Sequence, residues 1–153
     1  MTATNHAITG AIIGFLVHDP LLAIPAAIAS HFVCDAIPHF DKRLTTGVDD
    51  WLSSSTFKKL LIADATCCIA LVLLIAYKHP YHWFLISVCA FAATSPDMLW
   101  VNRFLKTNRK ETWKPNLLSK FGSAIQWFAK PIGAIVELTW LICGLFIISI
   151  IVR

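Results

Sequence analysis

Leu60–Tyr77 reads LLIADATCCIALVLLIAY, eighteen residues in which Asp64 is the one charge. At a rise of 1.5 Å per residue such a helix covers roughly 27 Å, close to the ~30 Å hydrocarbon core of a bilayer. The run therefore predicts a membrane span. Tyr81–Val101 continues it through the tight Lys78-His79-Pro80 turn, with Tyr77, Tyr81 and Trp83 where an interfacial aromatic belt belongs. Pro131 opens a last apolar run that ends at Val152. Toward the N terminus, Ala7–Val17 and Leu21–Ile37 form a hairpin turning at Asp19-Pro20. Its first arm, roughly 17 Å long, is expected to penetrate only part of the bilayer. Gly10 and Gly14 form a GxxxG, and Ala23, Ala26, Ala27 and Ser30 keep the second arm thin.

After the polar 103–114 segment, Leu117, Phe121, Ala124, Ile125 and Phe128 recur at helical spacing opposite Lys120 and Gln126. That pattern suits a helix lying on the membrane surface. The expected fold is an all-α integral membrane protein in a single polytopic domain, 1–153. Its four to five membrane helices cover about 6–18, 20–37, 57–77, 81–102 and 131–152, and an interfacial amphipathic helix covers about 116–129.

Composition agrees: 57% of the residues are hydrophobic, 14% are charged, and mean hydropathy is +0.67. An average soluble domain has roughly one-quarter charged residues, so disorder and a conventional soluble domain are excluded. The net charge of +4 does not describe a nucleic-acid surface, because the basic residues lie at the ends of apolar runs. Eleven of the thirteen Lys and Arg fall in the 41–59 and 103–130 segments, against Lys78 and Arg153 elsewhere. The positive-inside rule then places the N terminus and both segments in the cytoplasm and the C terminus outside, in a bacterial or archaeal cytoplasmic membrane. Membrane lipid is the expected partner. Ala27-Ile28-Ala29 resembles a signal cleavage site, but no Lys or Arg precedes Lys42, so residue 1 is read as the start of the mature chain. Cys34, Cys67, Cys68, Cys89 and Cys143 lie in apolar runs without a CxxC and read as packing residues.

The densest chemistry is Ser30–Asp41, SHFVCDAIPHFD. His31 and Asp35, spaced i, i+4, share one helix face; His39 continues it until Pro38 breaks the helix and lets His39 and Asp41 fold back. Imidazole with carboxylate suits a divalent transition metal, zinc first, manganese or iron(II) as alternatives. The other reading of HxxxD is a helix-surface ion pair. The orientation derived from Lys and Arg brings His6, Asp64 and Asp97 to the same membrane side. Ionisable residues at that depth are functional candidates. Metal ligands are expected at His6, His31, Asp35, His39 and Asp41, with Asp64 and Asp97 as catalytic carboxylates. The structural alternatives are fraying for His6, pairing with Lys59 for Asp64, and capping of the Pro96 break for Asp97. Glu137 ranks below these. On the opposite side His18, Asp19, His79 and His82 read as interfacial turn residues.

Met1–His6, the glycine-spaced first helix and Asp35-Ala36-Ile37-Pro38-His39-Phe40-Asp41 resemble the small membrane-bound metal-dependent hydrolases of the YdjM type. In this resemblance His6 takes the place of the family's early His, and His39 and Asp41 that of a PDxDH-like motif in permuted order. His31-x-x-x-Asp35 also resembles the helical HxxxD of zinc-dependent phospholipase C. The resemblance implies metal-assisted hydrolysis. No GxSxG, Walker loop or GxGxxG supports serine or nucleotide chemistry. The expected function is metal-dependent hydrolysis of a phosphoester at the cytoplasmic face, a lipid-linked phosphate being the natural substrate. Two alternatives use the same groups: a small metal-ion or proton transporter or channel, with symmetry supplied by a homo-oligomer, or a non-catalytic membrane partner protein.

Overall fold

A computed structural model describes residues 1–40, 55–99, 101, 105–106, 111–112, 114–125, 132–151 and 153. These form six α-helices, a 3-10 turn and no strand. The helices are α1 (Ala3–Leu16), α2 (Pro20–Ala36), α3 (Ser55–Lys78), α4 (Trp83–Thr94), α5 (Leu117–Ile125) and α6 (Gly133–Ile151), with the 3-10 turn at Ser95–Asp97.

Two of them, α3 over Lys58–Lys78 and α6 over Gly133–Ile151, are long and apolar enough to cross a membrane. Only 11% of each apolar window is buried. A helix at the core of a water-soluble protein would have its apolar side chains covered. Here Ile62, Leu73, Ile135 and Phe146 point outward, as do Leu21 and Leu22 of α2 and Phe84 of α4.

The centre of the bundle is α1, which packs against α2, α3, α4 and α6. Its buried residues, Asn5, His6, Ala7, Ile8, Gly10, Ala11 and Gly14, run around much of the helix rather than along one stripe. That follows from being surrounded. Small residues make this possible. A Cβ on Gly10 would strike the Cys89 carbonyl oxygen and lie 2.7 Å from Ala93 Cβ, and one on Gly14 would lie 2.9 Å from Cys89 Cβ. The GxxxG thus sets the α1–α4 approach. One core joins Ala7, Ile8 and Ala11 to Leu71, Ile75, Ile86, Ala90 and Ile148, and a second joins Ala23 and Ala27 of α2 to Cys89, Ala92 and Ala93 of α4.

Local sequence explains the helix ends. Asp19 caps α2, accepting the Leu21 N–H at 2.9 Å, with Pro20 at the first helical position. The buried residues of α2, Ala23, Ala27, His31, Cys34 and Asp35, keep one face. The stripe that packs α2 onto the bundle therefore carries the polar pair inward. Pro96 has no N–H to continue α4, so the helix tightens into the 3-10 turn, and the Ala92 carbonyl accepts from the Ser95 N–H and, at 2.8 Å, its hydroxyl.

The glycine geometry makes a measurable contrast. Gly10→Ala is expected to destabilise by about 1–3 kcal/mol through overpacking. At Gly122 in α5 a Cβ meets nothing within 4 Å, so Gly122→Ala should stabilise by about 0.5–1 kcal/mol. Thermal unfolding in detergent reads both; equal effects of the two would contradict the α1–α4 contact.

Candidate metal centre

The first turn of α1 has no cap of its own, since the Thr2 side chain makes no capping hydrogen bond. Helix N–H groups left without partners in an apolar setting are costly. Carboxylates from two other helices meet them. Asp64 of α3 accepts from the Ala3 N–H at 2.8 Å, from the Thr4 N–H at 2.9 Å and from the Thr4 hydroxyl. Glu137 of α6 accepts from the Thr2 N–H at 3.3 Å and the Phe40 N–H at 3.0 Å, and its carbonyl accepts from Asn5 Nδ2 at 3.1 Å. Negative charge at the positive end of a helix adds to these bonds.

One turn into α1, His6 is wholly buried. Its ring stacks on His31 of α2, with centroids 4.1 Å apart and planes inclined by 26°. His6 Nε2 is 3.2 Å from Asp35 Oδ1 as an ion-pair contact, yet neither ring nitrogen is aligned in a hydrogen bond among the described residues. His31 Nδ1 is 2.9 Å from the Ala93 carbonyl oxygen. A carbonyl can only accept, so Nδ1 carries the proton and Nε2 is the atom that faces the centre. There it meets Asp35 Oδ2 at 3.4 Å and Asp97 Oδ1 at 3.8 Å. Asp35, itself buried, also receives the Met1 nitrogen at 2.7 Å on Oδ1.

A neutral His31 would turn a lone pair toward two carboxylates. Protonating both stacked rings would put two positive charges about 4 Å apart, a repulsion on the order of 4 kcal/mol at an effective dielectric constant near 20. One cation shared by the rings and carboxylates relieves both conflicts. His6, His31 and Asp97 each offer a ligand atom, all within 4.8 Å of one another, and the group can hold a metal ion. Ligand atoms on a tetrahedral ion with bonds of 2.0–2.1 Å stand about 3.4 Å apart. The three must draw in by roughly an ångström, within the reach of small side-chain rotations. The Nδ1–H bond from His31 to a backbone carbonyl is the usual outer support of a metal-ligating imidazole.

The other candidate residues have different surroundings. His39 is buried beside Gly133, where a Cβ would strike its backbone, and its Nδ1 is 3.0 Å from the Ile37 carbonyl oxygen. Asp64 and Glu137 hold the first turn of α1. Asp41 lies outside the described residues. At the far end of the bundle His79 Nε2 meets the Ile151 carbonyl oxygen at 2.7 Å, and the His18 and His82 rings meet edge to face. Sequence reasoning did not find the Ala93 carbonyl, whose only signal was the Pro96 break, or the engagement of Asp35 by the Met1 nitrogen. Comparisons with family models, curated proteins and solved structures find no match.

Asp64→Ala is expected to cost about 1.5–3 kcal/mol, the usual worth of hydrogen bonds to a charged group. The loss should be the same with and without chelator, because Asp64 acts on α1. A thermal shift for Asp64→Ala that vanishes in chelator would instead make it a metal ligand.

Proposed function

We propose that the protein is a polytopic membrane protein of four to five spans in which His6, His31 and Asp97 hold a divalent transition metal, and that this centre hydrolyses a phosphoester. The observation that carries the reading is the buried His6 ring, both of whose nitrogens lack an aligned hydrogen bond while facing an imidazole and two carboxylates. A polar group so buried is retained when a ligand satisfies it. Imidazole nitrogen with carboxylate oxygen selects a borderline metal such as zinc, or manganese or iron(II), over calcium or magnesium.

The membrane reading rests on outward apolar faces throughout the bundle and on the span lengths of α3 and α6. The start of α1, the end of α2, the first turns of α3 and α6 and the end of α4 meet at one end of the bundle, joined by Asp35, Asp64, Glu137 and Ala93. With the positive-inside rule, that end is cytoplasmic. α1, α2 and α4, of 14, 17 and 12 residues, are shorter than α3 and α6, and short apolar helices are accommodated by local thinning of the bilayer.

When bound, the ion supplies Lewis acidity to a phosphoryl oxygen and lowers the pKa of water toward neutrality. Asp35, with one oxygen toward each ring, orients His6 and His31 and keeps their Nε2 atoms converged. Asp97 stands at the wall that the cluster shares with a cavity, its side chain 37% exposed. Asp64 and Glu137 are positioning residues: they seat α1 and thereby His6. A proton or ion pathway is the weaker reading, because Ala11, Ile86, Cys89 and Ala90 fill the space between this cluster and the opposite end with apolar packing.

Protein purified without chelator is expected to carry about one equivalent of transition metal by elemental analysis, and to release p-nitrophenol from p-nitrophenyl phosphate only when loaded. His6→Ala and His31→Ala should lower metal retention at least about tenfold, the size of effect that loss of one ligand produces, whereas His39→Ala should keep it. A wild-type protein with under about a tenth of an equivalent that takes up no added metal would overturn the metal centre and the hydrolase reading together.

A further inference from the structure

Asn116 opens α5: its Oδ1 accepts the Ser119 N–H at 2.8 Å and the Ser119 hydroxyl at 2.7 Å. From that start the nine residues Leu117–Ile125 present three sides. Ser119 and Gly122 lie toward α2 and the 3-10 turn, beside Phe32, Pro96 and Asp97. Leu117, Phe121 and Ala124, spaced i, i+4 and i+7, make an apolar stripe that is largely uncovered, with Leu117 87% and Phe121 52% exposed. Lys120 and Ser123 form the third side and are exposed too.

Neither its length nor its packing accounts for this helix in water. An isolated helix shorter than about 12–15 residues is marginal, and this one carries Gly122 in its interior. Its hold on the bundle is light: Phe121 meets the Phe32 ring edge to face at 5.4 Å, and none of the helix residues is buried. A Cβ on Gly122 meets nothing within 4 Å, so the bundle does not close on the inner side either. The charge around it has one sign. Residues 103–130 hold seven Lys and Arg against Glu111 as their one acid. Lys114, just before the helix, is exposed, and exposed Lys120 stands at the border of the stripe, i+3 from Leu117 and i−4 from Ala124.

We propose that α5 is a docking surface for anionic phospholipid, lying in the bilayer interface with Leu117, Phe121 and Ala124 at the acyl boundary and Lys114 and Lys120 among the lipid phosphates. The proposal rests on the membrane reading above, not on the metal, and adds the class of lipid. Two features select the occupant. An uncovered apolar stripe bordered by cations is the surface that an interfacial helix turns to a bilayer. Seven cations against one acid are complementary to an anionic headgroup layer and gain little from a neutral one. Location agrees with both, because α5 sits at the end of the bundle where Asp35 and Asp97 stand, and a bilayer crossed by α3 and α6 brings its headgroups to that level. Lipid then covers the side chains that the bundle leaves open and supplies the burial that a helix this short lacks.

The test uses full-length protein in nanodiscs of equal parts phosphatidylglycerol and phosphatidylcholine, with the photocrosslinking residue benzoylphenylalanine placed singly at Leu117, at Ser123 and, as a control on the outward face of α3, at Leu73, which is 64% exposed. Mass spectrometry reads the adducts. Leu117→benzoylphenylalanine is expected to give lipid adducts in which phosphatidylglycerol exceeds phosphatidylcholine at least about fivefold, the factor that one surface cation contributes. At Leu73 the two lipids should appear near their bulk ratio, and Ser123 should give few lipid adducts. Adding Lys114→Gln and Lys120→Gln should return the Leu117 ratio toward bulk; both lysines are exposed, so the fold is not at stake. Lipid adducts at Leu73 without any at Leu117, adducts at Leu117 to a second copy or another protein in place of lipid, a bulk lipid ratio at Leu117, or a ratio unmoved by the two lysine substitutions would each overturn the proposal while leaving the membrane reading in place. Absence of lipid adducts at Leu73 would remove the membrane reading itself, and this surface with it.

Discussion

The arrangement depends on the first turn of α1 being held from outside. That helix begins without a cap, inside a bundle whose other surfaces are apolar, and its amides are met by Asp64 from α3 and Glu137 from α6. Two carboxylates from two other helices thereby hold one helix start. Once the turn is held, the GxxxG contact with α4 fixes the rotation of α1, and His6 faces α2. The stacked imidazoles, the convergent carboxylates and the cavity beside them are consequences of that seating.

Electrostatics then limits what the cluster can be. The His31 bond to the Ala93 carbonyl leaves Nε2 pointing at Asp35 and Asp97, and the His6 nitrogens find no aligned donor or acceptor. A purely structural network would close its hydrogen bonds, because unpaired polar groups are costly where the surroundings are apolar. Here the Met1 nitrogen donates to Asp35, while His31 Nε2 turns its lone pair toward Asp35 and Asp97. A bound cation completes it without two adjacent positive rings, which is why the metal reading is preferred over an ion-pair network.

Much of the helical character was legible in residue order. Leu60–Tyr77 and the run after Pro131 are apolar for long enough to declare the two long helices, and Asp19-Pro20 and Pro96 punctuate the chain where helices start or end. His31 and Asp35 announce a shared face by their i, i+4 spacing, and counting Lys and Arg put His6 and Asp97 on the same side. What the residues alone did not reveal is partner choice among carboxylates at similar depth. Asp64 and Asp97 look alike in sequence, each a lone acid near the end of an apolar run. One accepts from the open amides of α1 and the other stands 3.8 Å from His31 Nε2, a distinction set by how α1 and α4 rotate against each other. Periodicity carries no information about that rotation. The same holds for His39, which Pro38 turns toward Gly133.

X-ray absorption at the metal edge of the purified protein tests the central claim most directly, because it reads the atoms around the ion without requiring a substrate. The account predicts a nitrogen and oxygen shell at about 2.0–2.2 Å with the multiple-scattering signature of two imidazoles, reduced to one imidazole in His6→Ala. A sulfur shell near about 2.3 Å would move the metal to the cysteines, and an unchanged imidazole signature in His6→Ala would take His6, and the seating of α1 argued from it, out of the centre.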